Sequence, residues 1–142
     1  MKKVYQTVFT NEENTVHGNC LCACIASLLG IDINEVPEIN EAGADWFRML
    51  FKFMTEKGYE VGGTARNLQH LIDINCQGVD GLYIGCGLSP RKHVKNGHAV
   101  LIDIKGNLIH DPHPSGDGIL RLDYIIIIEK LTPQKDETLY TT

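Results

Sequence analysis

The stretch His17-Gly18-Asn19-Cys20-Leu21-Cys22-Ala23-Cys24-Ile25-Ala26-Ser27-Leu28-Leu29-Gly30 decides how this chain is read. Asn19 is a good N-cap and Gly30 a good C-terminal stop. Every residue between them is small or apolar, on all sides of a helical repeat. A surface helix keeps one polar face, so this pattern predicts a helix buried nearly all round at the centre of a domain.

Working outward, residues 32–37 read as a short helical turn. Apolar residues at 46, 47, 50, 51, 53 and 54 form a helical stripe over 45–57, stopped by Gly58, with Trp46, Phe47 and Phe51 expected in the core. Residues 67–74 read as another short helix. From Leu82 the period shifts toward strands, over 82–84, 98–104, 107–111 and 122–130, with Lys105-Gly106 as a hairpin turn. Ile125 to Ile128 has no polar alternation and reads as a strand buried on both faces. Before the central helix, residues 3–9 lean toward β and 10–14 toward turn. Helices followed by antiparallel strands make the class α+β, as one domain over 1–131 with a frayed tail at 132–142.

The composition suits that domain. Of 142 residues, 43% are hydrophobic and 22% charged, enough for a core without metal or disulfide support. The net charge of −5 argues against nucleic acid or an anionic membrane as the main partner. The start shows no apolar leader, and the longest apolar run is too short to span a bilayer. The cysteines, at 20, 22, 24, 76 and 86, are odd in number and poorly spaced for disulfides, so reduced thiols in a cytoplasmic setting are expected. C-x-C-x-C within a helix sends its middle thiol away from the others, so neither metal nor cofactor is expected.

Cys20 directly follows the N-cap. The unpaired N–H groups and dipole of a helix start favour a thiolate, and Gly18 permits close approach of a substrate backbone. Cys22 and Cys24 read as core thiols, and Cys20 taken alone reads equally well as one. The second half supplies a partner. His98 opens one strand of the predicted hairpin and Asp111 closes the next, so both reach its far end. A carboxylate there can hold one imidazole nitrogen and leave the other facing a thiol. Ser89-Pro90-Arg91 reads either as a substrate loop offering Arg91 to a carboxylate or phosphate, or as a solvated turn. His113 and Ser115 read as cleft or turn residues.

Asn19-Cys20-Leu21-Cys22-Ala23-Cys24 resembles the Asp-Cys-Gly-x-Ala-Cys box of C39-type peptidases, which are papain-like, and of related peptidase-like domains of bacterial exporters. Gly97-His98-Ala99-Val100-Leu101 and His110-Asp111-Pro112 resemble that family's histidine strand and Asp-Pro. The run Ser89-Pro90-Arg91, His98-Ala99-Val100 and His110-Asp111-Pro112-His113-Pro114-Ser115 is also similar to short uncharacterised proteins of phages and bacteria. The C39 resemblance implies a papain-like fold, an N-terminal helix carrying the cysteine packed on a C-terminal sheet carrying histidine and aspartate. It implies Cys20 as nucleophile, His98 as base and Asp111 as its orienter, with Gln6, fourteen residues upstream, as the oxyanion glutamine. The family's glycine after the nucleophile is Leu21 here. Gly18, Asn19, Ser89, Arg91, Gly97 and His113 are expected to contact substrate. The implied activity is hydrolysis of a peptide, isopeptide, small amide or thioester bond, on a peptide or small-molecule substrate; a phage-like origin makes a host protein a candidate. Acyl transfer by the same triad and a catalytically silent binding module are the alternatives.

Overall fold

The computed structural model describes residues 1–131; the tail expected at 132–142 lies outside the described residues. The class is α+β. Three α-helices, α1 (Cys20–Leu29), α2 (Trp46–Glu56) and α3 (Leu68–Ile74), accompany five strands, β1 (Tyr59–Ala65), β2 (Tyr83–Leu88), β3 (His98–Ile102), β4 (Leu108–His110) and β5 (Arg121–Lys130). The strands form one antiparallel sheet in the order β1-β5-β2-β3-β4.

Helix α1 occupies the predicted span. Its residues from Cys22 to Leu28 are all buried, and Gly30 ends it in the left-handed region at φ 68°, its N–H donating to Ala26 O. Leu50, Phe53 and Met54 of α2 join α1 in the core on one face of the sheet. Phe47 and Phe51, expected inside, are 37% and 49% exposed, and Trp46 is only half-buried. The apolar arc of α2 is wider than the face it packs, and the inner edge of the arc takes the core positions. On the opposite face Leu68 and Leu71 of α3 pack with Ala65, Tyr83 and Val100.

The isoleucine run in β5 joins these two layers. Ile126 and Ile128 belong to the α1 side and Ile125 and Ile127 to the α3 side, none more than 1% exposed. Burial of each contributes about 1.5–3 kcal/mol. Residues 3–9, expected to lean toward a strand, join no sheet. Their backbone is held otherwise: Val4 N donates to Ser27 Oγ of α1 and Gln6 N to Pro112 O after β4. The N-terminal segment thus lies between α1 and the β4 edge, beside the end of the sheet where β3 and β5 begin and β2 and β4 finish.

Candidate active site

That sheet end collects the expected residues. Cys20 is the first residue of α1, half-buried, and its Sγ accepts from Ala99 N at 3.4 Å. His98 begins β3, just before that amide. The β3–β4 turn is tied by Asp103, whose Oδ1 accepts from Asn107 N and whose O accepts from Gly106 N. The two strands then return Asp111 to His98, with Nε2 and Oδ1 2.7 Å apart and both side chains almost wholly buried. Asp111 is fixed from behind as well. Oδ1 accepts from His113 N at 2.9 Å and Oδ2 from Gly118 N at 2.8 Å. With Nε2 bonded to Asp111, Nδ1 is the ring's other nitrogen, and the Cys20 thiol lies near the ring.

The charges follow from these contacts. Burial pulls the His98 imidazolium down, but the hydrogen bond to Asp111 and the neighbouring Cys20 thiol outweigh it, and its pKa rises to about 9. Burial pushes the Asp111 carboxyl up, and its bonds from His98, His113 and Gly118 more than offset this, leaving it below the ordinary value. Cys22 and Cys24 are raised by burial, and Cys86 is pushed up to about 12 by burial despite a hydrogen bond with Tyr124. Cys76 is raised by desolvation and by Glu129 and Glu60.

A cavity of about 880 Å³ opens over this end of the sheet, lined by Cys20 and His98 and by Gln6, Gly18, Arg91, Gly97 and His113 among the expected residues. Gln6 is buried, its Nε2 donating to Val8 O at 3.0 Å while its Oε1 has no partner among the described residues. Gly18 lies against it: a Cβ there would sit 3.2 Å from Gln6 Nε2. Gly97 has φ 82° and passes Gly87 O so closely that a Cβ would stand 3.0 Å away.

Two expected contacts lie off the cavity. Asn19 caps nothing with its side chain. Its Oδ1 accepts from Thr7 N and Val8 N, and its Nδ2 donates to Thr7 Oγ1, so it staples the N-terminal segment to α1. The N–H groups of Cys20 and Leu21 are therefore left without a side-chain cap where these two residues line the cavity. Ser89 is 4% exposed, its Oγ accepting from Arg91 N, so it shapes the loop rather than the cavity.

Cys86 and Tyr124 belong to the cavity without having been singled out by sequence. They face each other across β2 and β5, and Cys86 also faces Ala99 across β2 and β3. Their signal is purely tertiary: the register set by Ile84–Ile126 and Gly85–Ile125 brings Tyr124 to Cys86, and a bulge follows between Cys86 and Gly87. His17, His93 and Trp46 likewise reach the cavity from separate segments.

Among the described residues no three His, Cys, Asp or Glu side chains converge to hold a metal ion, and no helix is long and apolar enough to cross a membrane. No protein-family model, curated protein or solved structure matches the chain.

Proposed function

We propose that the protein is a cysteine hydrolase with a papain-like arrangement, in which Cys20 attacks a carbonyl, His98 moves the proton and Asp111 orients His98. The observation that carries this reading is the buried 2.7 Å His98–Asp111 bond, set beside a cysteine that opens a helix in the same cavity. A purely structural histidine–aspartate pair needs neither a thiol near the ring nor an open cavity.

The Cys20 thiolate adds to the carbonyl carbon of an amide or thioester. The oxygen takes the negative charge and meets the uncapped N–H groups at the start of α1, with the second Nε2 hydrogen of Gln6 to add to them. Imidazolium His98 gives its proton to the leaving amine or thiol as the bond to carbon breaks, leaving an acyl thioester on Cys20. Water then attacks that thioester, His98 takes its proton, and the acid and free thiol are released. Asp111 keeps the ring proton on Nε2 throughout, so Nδ1 is the nitrogen that works on Cys20.

The test is trapping. A carbonyl-directed activity-based probe should label Cys20, with labelling lost in Cys20→Ala and strongly reduced in His98→Ala, and mass spectrometry of protein taken from lysate should show an acyl adduct on Cys20. Absence of labelling, with a partner bound equally well by Cys20→Ala, would make the chain a binding module instead.

A further inference from the structure

We propose that Arg91 is the carboxylate-binding residue of this cavity, so that the bond split at Cys20 carries a carboxylate on its leaving side, as in an N-acyl amino acid or the last peptide bond of a chain. This rests on the hydrolase reading and adds the substrate class.

The guanidinium is available. Arg48 and Arg121 stand beside Asp45 and Asp123, whereas Arg91 makes no ion pair among the described residues. Its side-chain bond, Nη1 to Ser115 Oγ at 3.4 Å, is long and goes to a neutral group. The loop that carries it is fixed in advance. Arg91 N donates to buried Ser89, Val94 N returns to Arg91 O, and Asn14 holds the loop from the N-terminal side through His93 O at 2.7 Å and Lys95 N at 3.2 Å. His93 Nε2 and Thr10 O add a further contact at 2.9 Å. A cation on an ordered loop loses little freedom on binding, and its planar fork matches a carboxylate.

Its position assigns the side of the substrate. Burial and the nearby Arg91 charge hold the His113 imidazole below its ordinary pKa, so that ring is neutral at pH 7. The same ring stands edge-on to His98 with centroids 6.3 Å apart. Arg91 Nη1 and His113 Nδ1 both meet Ser115 Oγ, and Arg91, His113 and His98 line the same cavity, so we assign them to the side of the substrate that His98 protonates. Leu21 of α1, Trp46 at the start of α2 and Ile39 from the segment between them line the cavity and offer an apolar wall for the acyl part. The Arg91 guanidinium fits a carboxylate, with Lys95 as a second cation and Glu41 as an acidic group on the same cavity lining.

The pair N-chloroacetylglycine and N-chloroacetylglycinamide tests this on the full chain, because the two reagents differ only in the carboxylate. In each, the thiolate displaces chloride to form a thioether, and peptide mapping reads the rate at Cys20. The acid-to-amide rate ratio at Cys20 should exceed that of an unstructured cysteine peptide by at least about tenfold, the scale of a hydrogen-bonded charge contact, and should fall most of the way to the peptide's value in Arg91→Gln. A ratio equal to the peptide's, or one unchanged by Arg91→Gln, overturns the inference and leaves the hydrolase reading standing. Alkylation of Cys20 by neither reagent overturns both.

Discussion

Asp111→Asn removes a charge and half of an acceptor while keeping the side chain's shape, and the structure makes its cost specific. The carboxylate receives three donors, His98 Nε2 and His113 N on Oδ1 and Gly118 N on Oδ2. An amide has one oxygen to offer. With that oxygen toward His98 and His113, its NH2 faces the Gly118 N–H, donor against donor. With the amide turned, Gly118 is served, but His113 N–H faces a donor and His98 Nε2 must accept. The ring proton then moves to Nδ1, the ring's other nitrogen. Either orientation orphans a backbone N–H in a buried place, at about 1–3 kcal/mol, or roughly 4–12 °C in Tm for a domain of this size.

Reactivity should fall further than stability, because the first orientation loses the negative charge behind the imidazolium and the second holds the wrong tautomer. A loss of about 100-fold or more in probe acylation is expected. Thermal melting at pH 7 and probe kinetics on the same preparation give both numbers. An Asp111→Asn protein that melts within about 1 °C of the parent and acylates as fast would refute the reasoning, leaving Asp111 as a turn residue.

Asn19→Ala should cost about 2–4 kcal/mol in urea unfolding, because Thr7 and Val8 N–H both lose their acceptor, while Asn19→Asp, which keeps it, should stay within about 1 kcal/mol of the parent. Stability should also follow the pair's ionisation. His98 is raised from 6.5 to about 9, so its stabilisation is complete below pH 6.5 and is lost as pH climbs through 9; Asp111 is lowered from 3.8, so its stabilisation is present above that pH and is lost as pH falls below it. Urea midpoints measured across pH should show an alkaline decline that is smaller in His98→Ala and an acid decline that is smaller in Asp111→Asn.

What was legible in the sequence was whatever local chemistry dictated. The all-round small and apolar surface of 20–29 predicted α1, and the short helix read over 67–74 is α3, which starts after Asn67. The count outward from the expected Lys105-Gly106 turn brought His98 and Asp111 to the same far end of the hairpin, where they bond, but the turn closes one residue earlier, with Gly106 N donating to Asp103 O, and a bulge between Leu101 and Ile102 shifts the register. Strand β1 was missed because Gly62 and Gly63 interrupt its alternation at a bulge against β5. Glu129 fills the space over Gly62, an arrangement visible only once the two strands are paired. Asn19 looked like a cap and is a staple, because Thr7 and Val8 arrive beside it with unpaired N–H groups and compete for its oxygen. Cys86 and Tyr124 had no local signal at all, since their place depends on which strand lies beside β2.

The most direct measurement is site-resolved alkylation by a limiting neutral reagent at about pH 6, where ordinary thiols carry little thiolate. Cys22, Cys24, Cys76 and Cys86 are all raised above the ordinary thiol value, whereas Cys20 adjoins an imidazolium that stays charged up to about pH 9. Cys20 should take most of the label, and His98→Ala should remove most of that advantage while the other four thiols stay unchanged. Preferred labelling of Cys76 or Cys86, or fast Cys20 labelling indifferent to His98, would contradict the account.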